Sequence, residues 1–160
     1  LSSGKNPPRI NDIGFDRYDR LMEYAKDKGV TVAYENIRKL DNVAFAMENY
    51  PEAGFCWDVG HEACYTYGME FMHLFGKRIV ALHLHDNTGI YDEDMHWLPF
   101  DGVVDMEKAA RYLAVYQYQK SIMLEVTADS AGIEDSALFY KRAYEVATRF
   151  ASLVEKYKNA

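Results

Sequence analysis

With only two cysteines in 160 residues, the chain cannot build a disulfide framework, and Cys56 and Cys64 lack the Cys-x-x-Cys spacing of a metal or redox pair. Both read as reduced packing residues, Cys56 in an apolar strand and Cys64 in a helix. No basic run stands out among 18 basic and 25 acidic residues, and a net charge of -7 disfavours nucleic acid as a partner. No stretch approaches the ~20 consecutive apolar residues that span a bilayer, and nothing at the start resembles a signal peptide. A cytoplasmic protein without a membrane partner is expected. An initiator methionine is missing, as is the hydrophobic strand with which an α/β domain usually begins, so a segment upstream of Leu1 is expected. No Gly-x-Gly-x-x-Gly follows a strand-like run, which removes the usual mark of a dinucleotide fold.

What the chain does contain is alternation. An apolar content of 49% with 14% aromatics is enough for the core of one domain over residues 1–160. Phe15, Tyr18, Leu21, Met22 and Ala25 recur at helical spacing over 15–28, and Gly29 marks the stop. Residues 30–34 form a β-prone run ending on Glu35-Asn36. Asp41 is expected to cap a helix that Pro51 ends. A second strand, 54–57, ends on Asp58, and one helical segment is expected from there to Phe75 and Gly76. The third strand, 79–83, ends on His83. A polar loop over 86–104 is long enough to suggest a function. Asp105 opens the next helix, 122–126 reads as a fourth strand ending at Glu125, and a long amphipathic helix covers about 136–157. This order calls for an α/β fold with parallel strands and outer helices, either an open doubly wound sheet or a closed (β/α) barrel.

Reacting groups in such folds gather at the carboxyl ends of the strands. Here those ends read Glu35, Asp58, His83 and Glu125, one metal-ligand type per strand. An acid after a strand often caps the next helix, and a strand histidine is often a satisfied core residue. Four strands in succession ending this way favour convergence on one divalent ion. Three carboxylates with one imidazole suit Mg²⁺, Mn²⁺ or Co²⁺, and can also hold Zn²⁺. His85 shares a strand face with His83 and competes for the ligand role. His61, three residues past Asp58, can meet a sugar hydroxyl or a second metal. Arg38, three residues past Glu35, can meet a phosphate or sugar oxygen, or be a solvated helix-start residue. Tyr65, Tyr67, Trp97 and Phe100 lie near these motifs, and Trp97 is taken as a substrate-wall residue.

Tyr34-Glu35-Asn36, Asp58-Val59-Gly60-His61, His83-Leu84-His85-Asp86-Asn87, the loop from His96 through Trp97 to Gly102, and Leu124-Glu125-Val126 together resemble the xylose isomerase-like barrels. That family includes sugar and sugar-phosphate isomerases, ketose 3-epimerases and the endonuclease IV branch. The resemblance implies a TIM-barrel fold, with Glu35, Asp58, His83 and Glu125 as ligands of one divalent metal (Mn, Mg, Co or Zn). It prefers His83 over His85 by its spacing to Asp86-Asn87. It also implies that Glu35 and Glu125 face opposite sides of a bound sugar as an acid/base pair. His61, Arg38, His96 and Trp97 would contact substrate. Asp94-Met95-His96 resembles the Asp-x-His pair that binds extra zinc in the endonuclease IV branch.

A barrel of this kind needs eight strand–helix units and about 250 residues, whereas four units are legible here. The chain therefore reads as the carboxyl-terminal half of a barrel, completed by an upstream half or by a second copy. The expected function is a divalent-metal-dependent sugar or sugar-phosphate isomerase or epimerase acting on a small polyol or keto-sugar. The alternatives are an endonuclease IV-like phosphodiesterase and a non-catalytic half-barrel that binds metal or a partner.

Overall fold

The computed structural model describes residues 11–66 and 68–160. The opening segment 1–10 and Tyr67 lie outside the described residues. Helix α1, Asp12–Asp27, begins earlier than the apolar spacing suggests, because the Asn11 side chain accepts from the Gly14 N–H at 3.0 Å and caps it. β1 is Ala33–Glu35, α2 is Leu40–Asn49 and β2 is Gly54–Asp58. Asp41 does not cap α2 as expected. The cap position is Lys39, without a side-chain bond, and Asp41 sits in the first turn, where its charge favours the helix dipole. The far end of α2 is finished from elsewhere, since the Arg78 guanidinium donates to the carbonyls of Met47, Tyr50 and Ala53.

The single helical segment expected after Asp58 is two helices, α3 (Val59–Tyr65) and α4 (Phe71–Phe75), followed by a 3-10 turn over Gly76–Arg78. The break includes Gly68, which takes a left-handed φ of 78° that no helix continues through. β3 is Ile79–His83, α5 is Met106–Val115 and α6 is Ser136–Lys158. The fourth strand shrinks to a single parallel bridge between Leu84 and Leu124. Two bonds hold it, Leu84 N–H to Met123 O at 2.9 Å and Glu125 N–H to Leu84 O at 3.2 Å. Among the described residues no strand lies on its other side to extend the ladder.

The three strands form a parallel sheet in the order β1-β2-β3. Glu35 pairs with Cys56 and Asp58 with His83, after a register shift between Phe55 and Cys56. That shift lies where Gly54 abuts Val80, since a Cβ on Gly54 would come within 2.1 Å of the valine side chain. Strand alternation then sends Glu35, Asp58, His83, His85 and Glu125 to one face. Tyr34, Phe55, Trp57, Leu82 and Leu84 go to the other, where they are buried in the main core with Met72, Leu113 and Phe150 from the helices. A greasy outer face therefore fixes the sheet, and the polar residues are confined to the inner face.

Candidate metal centre

The register delivers four ligand-type side chains to one point. Glu35, Asp58, His83 and Glu125 each offer an atom within 4.8 Å of all the others. His83 Nδ1 lies 2.8 Å from Glu125 Oε2, 3.1 Å from Glu35 Oε1 and 3.8 Å from Asp58 Oδ2. Asp58 Oδ2 and Glu125 Oε2 are buried atoms with no hydrogen-bond donor. Buried carboxylate oxygens without donors are expensive unless a cation meets them. The donor set, three carboxylates and one imidazole, fits a hard or borderline divalent ion.

The electrostatics separate the two glutamates. Burial works to raise the Glu35 pKa, but hydrogen bonds from His61 and His83 outweigh it and hold the group at about 2. Burial raises that of Glu125, and the neighbouring Asp58 and Glu35 charges push the same way. Contacts with the Cys56 thiol and with Glu35 lift His83 to about 11. Without a metal, imidazolium groups supply the cations that this acidic pocket demands.

A second group lies beside the first. His61, His85, Asp94 and His96 also offer atoms mutually within 4.8 Å. His61 Nε2 is 3.2 Å from Asp94 Oδ2, and His96 Nε2 is 3.4 Å from Asp94 Oδ1. Their other nitrogens face backbone carbonyls, His61 Nδ1 that of Asn36 at 3.2 Å and His96 Nδ1 that of Glu125 at 2.7 Å. A carbonyl only accepts, so Nδ1 carries hydrogen in both rings and Nε2 is the atom turned toward Asp94. Such orientation by a backbone acceptor is the usual support of a metal-bound histidine. Tyr65 donates its hydroxyl to Asp94 Oδ2 at 3.0 Å. Burial opposes a charge on His61, yet bonds to Asp94 and Glu35 raise it to about 10.

His83 and His85 differ in depth. His83 stands among the carboxylates, whereas His85 is fully buried behind Asp58, with Nε2 3.1 Å from Asp58 Oδ1. Its ring stacks on His96 with centroids 4.2 Å apart and planes 15° apart. His85 thus stands on the Asp58 side of the second group. Its other boundary is Gly60, where a Cβ would come within 2.1 Å of the ring.

The remaining expected site residues are dispersed. Arg38 pairs with Asp92 and lies 4.3 Å over the Tyr65 ring. Trp97 lines a small depression of about 200 Å³ with Asp101, Ser130 and Ala131, which contains none of the ligand-type residues. Its backbone pairs with that of Asp86 in both directions at 2.9 Å, and this aims His96 inward. Sequence reasoning missed Asn36, whose buried amide bonds to both the N–H and the C=O of Asp58 at 2.8 Å. It stood in the sequence only as the last member of the Tyr34-Glu35-Asn36 motif, without a role of its own.

Residues 3–143 match the family model of the xylose isomerase-like TIM barrel, and the chain belongs to that family. The chain is 29% identical over 146 residues to the uncharacterized protein y4fM of Sinorhizobium fredii, covering 91% of this chain and 46% of that protein. Its fold is similar to a D-allulose 3-epimerase from Methylomonas sp., at 20% identity and a TM-score of 0.69, over 92% of this chain and 59% of that one. It is also similar to the IOLI protein with a bound zinc atom, at 16% identity and a TM-score of 0.66, over 94% and 60%. The chain spans about half the length of these relatives. Among the described residues no helix is long and apolar enough to cross a membrane.

Proposed function

We propose that this chain is the carboxyl-terminal half of a divalent-metal-dependent sugar or sugar-phosphate isomerase or epimerase. The observation that carries the reading is the convergence of Glu35, Asp58, His83 and Glu125 within 4.8 Å, with two buried carboxylate oxygens lacking donors. Family membership and the epimerase fold support the substrate class. In this reading those four residues hold the metal (Mn, Mg, Co or Zn). When bound, the ion polarises the sugar's carbonyl and adjacent hydroxyl oxygens and so lowers the free energy of an enediolate.

Glu35 and Glu125 move the proton. Two carboxylates whose environments drive their pKa values apart are a natural base and acid. Glu35, ionised through the physiological range, takes the proton from the carbon beside the carbonyl. Glu125, the more easily protonated, returns one from the opposite side. His61 and His96 hold sugar oxygens at the second group, where they and Asp94 can also hold a second ion. Arg38, over the Tyr65 ring that reaches Asp94, borders the substrate at the rim.

The test is solvent exchange of the substrate's carbon-bound proton in the full-length protein. Glu35→Gln and Glu125→Gln, which keep shape but cannot accept a proton, are each expected to lower the rate at least ~100-fold. Full exchange in both variants would end the proton-transfer reading. A second reading, an endonuclease IV-like phosphodiesterase, draws on the His61, Asp94 and His96 group. The net charge of -7 weighs against it, and incision of abasic DNA would reverse the preference. Stoichiometric metal without turnover of either substrate would leave a binding protein.

A further inference from the structure

Resting on that reading of the metal centre, we infer that Asn36 is a positioning residue that sets both ligand groups at once. Its side chain is fully buried, and its amide orientation is fixed by its partners. Nδ2 donates to the Asp58 carbonyl and Oδ1 accepts the Asp58 N–H, both at 2.8 Å. The β1-β2 ladder runs only to the Glu35 and Cys56 pair, so beyond it a side-chain amide takes the place of a peptide in gripping the neighbouring strand. This grip fixes the Asp58 backbone at the point where β2 turns into α3. The carboxylate of Asp58 then has one oxygen committed, Oδ1 accepting the His61 N–H at 2.6 Å, and Oδ2 left for the first group.

The main chain of Asn36 performs a separate task. Its carbonyl faces His61 Nδ1 at 3.2 Å and keeps hydrogen on that nitrogen, leaving Nε2 toward Asp94. His61 Nδ1 also lies 3.3 Å from Glu35 Oε1 and 3.4 Å from Asp58 Oδ2, so the ring borders both groups. One residue therefore holds the backbone of a first-group ligand and the tautomer of a second-group ligand. A smaller side chain would leave the N–H and C=O of Asp58 buried and free to rotate away.

The experiment is a titration of Co²⁺ into metal-free full-length protein, followed by calorimetry and visible absorption. It compares wild type, Asn36→Ser, and Leu113→Ala, a change in α5 within the core on the opposite, outer face of the sheet. Asn36→Ser is expected to weaken Co²⁺ binding at least ~10-fold, as loss of a ligand's hydrogen-bond support does, and to alter the cobalt spectrum. Leu113→Ala is expected to lower the melting temperature at least as much while leaving affinity and spectrum unchanged. Wild-type affinity and spectrum in Asn36→Ser, or equal loss in Leu113→Ala, would overturn the inference alone. Wild-type protein that takes up no Co²⁺ would overturn the metal reading and this inference with it.

Discussion

At the scale of single residues, packing geometry gives two histidines of one strand face different surroundings. His83 and His85 share a strand face but differ in depth and in the neighbour opposite. For His85 that neighbour is Gly60, whose missing side chain makes room for the ring. Gly60→Ala must push His85 off its stack on His96. Overpacking of this kind is expected to destabilise by about 1–3 kcal/mol and to disturb the second ligand group. His85→Ala in the same chain clears the space, so the double variant should lose less stability than the two single losses added, as chemical denaturation would measure. Strict additivity would mean that the contact is not what makes residue 60 a glycine. Glu35, Asp58, His83 and Glu125 were legible in the sequence because each closes a strand-like run. Asn36 was not, because its role depends on reaching a backbone 22 residues away.

At the scale of elements, α1, β2, β3, α5 and α6 follow their periodic patterns closely, since burial of an outer sheet face and of helix stripes is what those patterns record. The fourth strand did not form at full length. Its pairing with β3 is limited to the one bridge between Leu84 and Leu124. The loop after β3 has no period to read, yet it is ordered by one buried carboxylate. Asp86 accepts from the N–H groups of Asn87, Phe100 and Val104 at 2.9, 3.0 and 2.9 Å.

The break between α3 and α4 has its own polar anchor. Glu62 accepts from Trp57 Nε1 at 2.8 Å and from the Phe71 N–H at 3.1 Å, and burial raises its pKa to about 7. A carboxyl whose folded pKa exceeds its unfolded one favours the fold while protonated. Its contribution is therefore full below about pH 4.5 and is lost as pH rises through about 7. Glu62→Gln should remove that decline, leaving the variant roughly 2–3 kcal/mol less sensitive to pH between 5 and 8. Trp57 emission should titrate near neutrality in wild type and stay flat in the variant. A flat wild-type emission profile would mean that Glu62 does not ionise there.

At the scale of the whole molecule, one end of the sheet concentrates acidic groups that the rest of the chain does not neutralise. The net charge is -7, and Asp58, Glu35 and Glu125 converge, with Asp58 Oδ2 and Glu125 Oε2 lacking donors. Folding without a cation must hold these charges together, and His61 and His83 relieve this only while protonated. An ion bound to the folded state but not to the unfolded chain stabilises by mass action, about 2.7 kcal/mol at a hundredfold excess over its Kd. For a chain of this size that corresponds to a melting temperature about 5–10 °C higher. Chelation of the full-length protein should reverse the gain, and Mn²⁺ or Zn²⁺ should restore it. Asp58→Asn removes one of the converging charges and one ligand together. It should therefore abolish the response of the melting temperature to added metal. Loss of that response separates a metal centre from an ordinary acidic patch, where the rise with Mn²⁺ or Zn²⁺ would survive Asp58→Asn.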